Sequence, residues 1–276
     1  MSDSNENRLF LYLDLLGFTS LLRDCQKIER IFRILDGSNI HRDANYKTIV
    51  FSDTVLAYNQ HISLTPNSKE IELMYLIEFA QDIRQRLTGE EVFFRAIITE
   101  GPFRAETRNN FQSFYGDALV KAHKEEKELV GIGLFVDRSL RDLHSVFRYK
   151  QFSEKYDFVY TTQQISRLEY FPSNYEKAEK REAVFPLPTN YLTDEGAEYF
   201  LYPELRHLIE IYHHSLGQPE PSVRAKYICT WRMYELAYPK LTGLIAKSNF
   251  DLSMISGLDW SGPKRQFEED RVSYAK

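Results

Sequence analysis

The sequence predicts an α+β domain followed by a helical extension. Three observations predict it: an early run that is apolar on both faces, a regular alternation of strand-like and helix-like stretches up to residue 137, and long helical periodicity from residue 198. At 276 residues the chain suits one large domain, or one with an appendage, on the usual scale of roughly 150 residues per domain.

Residues 1–7, MSDSNEN, are polar and expected to fray. Leu9 to Phe18 (LFLYLDLLGF) is too short and too β-rich for a helix and reads as a buried strand that stops at Gly17. Residues 19–35 return apolar side chains at helical spacing, with Thr19 as the expected N-cap. YKTIVFSDTVLAY, 46–58, reads as two strands broken at Ser52-Asp53. An amphipathic helix over 69–88 ends at Thr88-Gly89, and VFFRAIITEG, 92–101, is a strand closing at Gly101. Residues 112–116 read as extended, Asp117 as the cap of a helix to about Leu129, and 131–137 as another strand. Between 146 and 192 short strand candidates mix with a polar stretch around NYEKAEKRE. Helices then flank Gly217-Gln218-Pro219, and EEDRVSYAK at the end is expected to be loose. The domain boundary is expected at 195/196.

Composition excludes several classes. Lys and Arg number 35 against 40 Asp and Glu, a net charge of −5, so neither non-specific nucleic-acid binding nor bilayer binding is favoured. With 43% hydrophobic and 14% aromatic residues the chain carries ample core, which rules out wholesale disorder. Two cysteines, Cys25 and Cys229, make no disulfide framework and no cysteine zinc site. No basic-apolar leader opens the sequence, and no run nears the ~18 apolar residues of a spanning helix. A cytoplasmic location is the expectation.

Chemistry points first to Asp14 and Asp53, acidic residues at the ends of apolar strands, where an unpaired carboxylate is costly. If those strands are neighbours, both carboxylates share one sheet edge, and a hard divalent cation relieves their repulsion. The alternative is that each caps a turn or helix. Leu16-Gly17-Phe18 forms a turn into a helix N-terminus, a place that favours phosphate. Arg95, inside VFFRAII, is either an edge residue with an ion-pair partner or a phosphate clamp. His207, His213 and His214 gather no carboxylate set and read as surface or core. Glu125, Glu126 and Glu128 read as a solvated face, and Tyr227, Trp231 and Tyr234 as core or dimer contact.

LYLDLLGFTSLL, IVFSDTV, FRAIITEG and FYGDALVKAHKEE, in that order over residues 8–137, resemble the successive motifs of the class III nucleotide cyclases. The resemblance implies a ferredoxin-like domain acting as a homodimer, with two divalent ions, Mn²⁺ or Mg²⁺, per site. Asp14 and Asp53 match its metal-binding aspartates, with the Leu15 carbonyl as a further ligand. Leu16, Gly17 and Phe18 match its triphosphate turn, Arg95 its phosphate-contacting arginine, and Gly101 the glycine closing that strand.

Departures from the purine-specific pattern are specific. Ile49 stands where those members carry a base-reading lysine, and Ser113 where they carry the base-reading aspartate. Losing such readers changes which base is accepted. The transition-state Asn and Arg fall at Val120 and Lys124; Lys121 and Lys124 are the nearby cations, with solvated lysines as the alternative reading. These departures, with FSD at 51–53 and KYICTWRMYEL at 226–236, are similar to the bacterial Pycsar pyrimidine (uridylate/cytidylate) cyclases. That similarity implies conversion of UTP or CTP to a cyclic 3′,5′-monophosphate in antiphage defence, the product being read by a separate effector. A pocket of Tyr46, Ile49 and Tyr115 is the expected base site.

Overall fold

A computed structural model describes residues 7–61, 65–143, 146–168, 184–193 and 196–275. The NYEKAEKRE stretch, the 195/196 boundary's first residue and most of MSDSNEN lie outside them. Contacts divide the chain into two compact units: residues 1–84 with 92–161, and 85–91 with 162–276. By compactness the chain therefore parts at Thr161/Thr162, ahead of the boundary expected from the sequence.

The first unit is built on β1 (Asn7–Leu15), α1 (Phe18–Leu21), α2 (Cys25–Asp36), the hairpin β2 (Tyr46–Phe51) and β3 (Thr54–Asn59), α3 (Pro66–Leu87) and β4 (Phe94–Pro102). The ribbon β5 (Arg104–Thr107) and β6 (Gln112–Tyr115), α4 (Asp117–Glu128), β7 (Gly133–Asp137), β8 (Arg148–Gln151) and β9 (Tyr156–Tyr160) follow. The seven-stranded sheet runs β2-β3-β1-β4-β7-β9-β8. Its β2-β3-β1-β4 portion, with β1 antiparallel to both neighbours, is the ferredoxin-like split βαβ arrangement. β1 needs apolar residues on both faces because it lies mid-sheet, and Leu9 to Leu13 are all buried. Phe10 and Tyr12 share one face with Leu56 and Tyr58 and pack under Ala118 and Ala122 of α4.

Local corrections have local causes. The 19–35 helix is two helices, because Asp24, not Thr19, caps the second by accepting from the Lys27 N–H at 3.0 Å. α4 is capped by Gly116, with Asp117 in its first turn. The short strand β5 escaped the sequence because it pairs only with β6. Of the acidic run of α4, Glu128 is exposed as expected, but Glu126 is buried and Glu125 bonds Lys155 at 2.9 Å and Tyr156.

The second unit holds α5 (Gln163–Arg167), α6 (Thr189–Thr193), α7 (Ala197–Gly217), α8 (Pro221–Ala237), α9 (Pro239–Ser248) and α10 (Ser261–Tyr274). α10 overturns the expectation of a loose C-terminal end. Phe267 is buried against Tyr202, ring centroids 5.5 Å apart, and Arg271 pairs with Glu90 at 3.0 Å. His213 packs edge-on to Phe250 and His214 stacks on Tyr227, while Tyr227, Trp231 and Tyr234 are core. No described helix is long and apolar enough to cross a membrane.

Gly116 gives the sharpest test of this packing. Its φ is +145°, and a Cβ there would stand 2.2 Å from the Pro102 carbonyl oxygen. Gly116→Ala is expected to destabilise the protein by roughly 2–4 kcal/mol, read as a lower urea midpoint at unchanged m. An unaltered midpoint contradicts this account of the β4–α4 connection.

Candidate active site

At the end of β1 the chain turns sharply. The Leu15 N–H donates to the Asp53 carbonyl and the Leu16 N–H to the Phe93 carbonyl, each at 2.8 Å. Gly17 then takes φ +75°, which only glycine adopts without strain, and α1 begins. In the hairpin turn Ser52 holds φ +57°, an uncommon value for a residue with a Cβ, immediately before Asp53. Pairing of β1 with β3 sets Asp14 opposite Thr54, the residue after Asp53, so both aspartates lie at the same end of these neighbouring strands.

Asp14 and Asp53 are half-buried, and their charges converge on Tyr12, two residues before Asp14 on the same face. Burial pushes the Tyr12 hydroxyl above its usual range; a hydrogen bond with Thr54 opposes this, and Asp14, Glu126 and Asp53 add to it. Tyr12 therefore keeps its proton at neutral pH. Two carboxylates beside backbone carbonyls form an oxygen-only donor set. Among the described residues no three or more His, Cys, Asp or Glu close into a metal cage. The open pair fits a hard cation that completes its shell with water and phosphate oxygens. α1 has only four residues, so its N-terminus offers backbone N–H groups but little helix dipole. Phe18 itself is buried, 6.4 Å from the Phe32 ring.

Of the readings the sequence left open for the cations, Arg95 takes the ion-paired one, though on a central strand and not at an edge. Arg95 lies on β4, a central strand, directly opposite Asp14. It is buried, with Nε and Nη2 donating to Glu126 and Nη1 to the Leu129 carbonyl. In this arrangement Arg95 fastens α4 to the sheet, and contact with a phosphate requires that pair to open. Lys121 is bonded to Asp137 at 2.5 Å. Burial works against the Asp137 carboxylate, but Lys121 and Ser139 outweigh it and hold its carboxyl below the usual range. Lys124 is exposed, and Val120 is exposed beside it.

The expected base pocket is not assembled within one chain. Ile49 packs on the Tyr12 face of the sheet, against the cluster of Phe10, Leu56 and Tyr58. Tyr46, three residues earlier on the same strand, points to the opposite face, where its ring lies 5.6 Å from Tyr75. Tyr115 is exposed and donates to Glu106 at 2.5 Å; Ser113 lies on the same ribbon face, while Phe114 between them packs toward Ile49's cluster. Tyr12, Thr54 and His123 are polar neighbours of the site that the motifs did not bring out. Tyr12 was legible by its alternation with Asp14. His123 was not, because only the docking of α4 brings it to β1.

No family model and no curated protein matches this chain. Among solved structures it is similar to the monomeric guanylyl cyclase domain of the RhoGC fusion protein from the aquatic fungus Blastocladiella emersonii. That match has 18% identity over 56% of this chain and 94% of that one, with a TM-score of 0.45. A bacterial light-regulated adenylyl cyclase matches at 13% identity, over 56% of this chain and 52% of that one, TM-score 0.41. Adenylate cyclases from Trypanosoma brucei in their monomeric state match at 13%, over 65% and 94%, TM-score 0.35. These neighbours are guanylyl and adenylyl cyclases by name.

The Arg95–Glu126 pair has a measurable consequence. Glu126→Ala leaves a buried guanidinium with the Leu129 carbonyl alone and is expected to cost roughly 3–5 kcal/mol in urea denaturation. Arg95→Met with Glu126→Leu is expected to recover most of that loss. A Glu126→Ala penalty below about 1 kcal/mol would show the pair to be dispensable to the fold.

Proposed function

We propose that this chain is a nucleotide cyclase that converts UTP or CTP to the cyclic 3′,5′-monophosphate with release of pyrophosphate. In this reading it works in the cytoplasm as a homodimer, its cyclase domain reaching about residue 195. It generates the signal of antiphage defence, which a separate effector reads. The observation that carries the proposal is the placement of Asp14 and Asp53 at the same end of neighbouring strands, with Leu15 N–H bonded to the Asp53 carbonyl, inside motifs that resemble that family. Exposed apolar side chains on the same unit, Phe51 at 78%, Val120 at 67% and Phe111 at 64%, support a second copy as partner.

Two Mn²⁺ or Mg²⁺ ions supply, when bound, a lowered pKa for the ribose 3′-hydroxyl and neutralisation of the triphosphate. Asp14, Asp53 and the Leu15 carbonyl would hold them. The Leu16–Phe18 turn receives the phosphates through its N–H groups. The 3′-oxygen bonds to the α-phosphorus as the bond from that phosphorus to the β-phosphate oxygen breaks, and pyrophosphate leaves. Arg95, Lys121 and Lys124 are the cations that the motif resemblance assigns to the leaving charge, the first two only after releasing Glu126 and Asp137. Ile49, Ser113 and Tyr115 are the assigned base readers, from one or both protomers. Ile49→Lys with Ser113→Asp should then relax rejection of purines.

One observation favours a second reading, a catalytically silent nucleotide-binding module. Arg95 and Lys121 are both spent in ion pairs, and Val120 stands where the family's transition-state Asn belongs. Incubation with Mn²⁺ and each of the four nucleoside triphosphates separates the readings. Cyclic product from UTP or CTP is expected, with Asp53→Ala lowering turnover at least ~100-fold. Product from ATP or GTP alone identifies a purine cyclase instead, and tight binding without any cyclic product identifies the silent module.

A further inference from the structure

We propose that His123 is a positioning residue for the Asp14/Asp53 site, acting through Tyr12. The proposal rests on the two-carboxylate reading above and names a residue to which the family resemblance gives no role. His123 Nδ1 lies 2.9 Å from the Tyr12 hydroxyl, and its Nε2 lies 3.1 Å from Lys127 Nζ. A lysine ammonium only donates, so Nε2 accepts and the ring proton sits on Nδ1. Nδ1–H then donates to the Tyr12 oxygen, and the tyrosine's own hydrogen must turn elsewhere. Thr54 Oγ1, 3.4 Å away, is the hydroxyl in that direction, and it stands opposite Asp14 in the strand register. Beyond it lies the negative field of Asp14 and Asp53.

The direction of every bond in this chain follows from Lys127. Donors run from α4 through Tyr12 on β1 to Thr54 Oγ1, the residue opposite Asp14. A carboxylate that accepts a hydrogen bond on one lone pair is oriented to offer another to a cation, the role that outer-shell partners commonly play. His123 touches neither substrate nor metal in this scheme. Its effect is to fix which way the Tyr12 hydroxyl points. Because His123 is exposed on α4, replacing it spares the core.

The test is Mn²⁺ binding to the full chain without nucleotide, followed by the free-ion electron paramagnetic resonance signal, alongside kcat and KM for the triphosphate turned over. Circular dichroism and the thermal midpoint monitor folding. His123→Leu is expected to weaken Mn²⁺ binding about 10-fold and to lower kcat with KM little changed. His123→Asn, whose amide N–H reaches the Nδ1 position, is expected to stay within about 3-fold of the parent. In a Tyr12→Phe background, His123→Leu should add no further loss. Parent-like Mn²⁺ binding by His123→Leu overturns the proposal, as do equal losses for Leu and Asn or additive losses with Tyr12→Phe. Asp53→Ala in the same series separates the two readings. If it abolishes Mn²⁺ binding while His123→Leu does not, the relay alone fails; if Asp53→Ala also binds normally, the carboxylate site itself fails.

Discussion

Burial of the Arg95 guanidinium on a central strand is the constraint from which the site's geometry follows. A charge in that position is tolerated only with a paired carboxylate and filled hydrogen-bond directions. Glu126 and the Leu129 carbonyl supply both, and they lie at the C-terminal end of α4. The pair thereby sets where that end of the helix sits on the sheet. Such a pair adds little net stability compared with apolar residues of similar volume, but breaking one half is expensive. It acts as a register pin more than as glue.

From that pin the other contacts of α4 fall into place. Ala118, Ala122 and Glu126 recur every four residues and make one face. The two alanines let the helix approach closely, and a Cβ on Gly101 of β4 would stand only 3.4 Å from Ala118. Lys121 then meets Asp137 on β7, Glu125 meets Tyr156 on β9, and His123 meets Tyr12 on β1. Strand β1 carries the consequence to the carboxylates, because Tyr12 and Asp14 alternate onto one face while Leu13 and Leu15 take the other.

Much of this was legible where the signal was local. A run apolar on both faces places β1 mid-sheet, a Ser-Asp break between β-branched strands gives the β2–β3 hairpin, and helical spacing gives α3, α7 and α8. The two aspartates were legible for the same reason: a carboxylate ending an apolar strand is conspicuous. Partners distant in sequence were not. Nothing near Arg95 announces Glu126, and nothing near Arg271 announces Glu90, so the ion-pair partner of Arg95 could not be named and an ordered last helix read as a loose end. The grouping of Tyr46 with Ile49 is a different matter. An odd separation on one strand puts the two on opposite faces, so strand parity alone separates them.

The net charge of −5 takes on a local meaning against this arrangement. Asp14 and Asp53 add negative charge beside Tyr12, while the Arg95 charge is offset by Glu126 and that of Lys121 by Asp137. A nucleoside triphosphate approaching that edge meets repulsion unless divalent cations arrive with it or before it. Cation and nucleotide binding are then thermodynamically linked, each raising the affinity for the other by the same factor. Under the proposed function, the acidity of the chain, which disfavours nucleic acid, would make a metal-bound triphosphate a better ligand than a bare one.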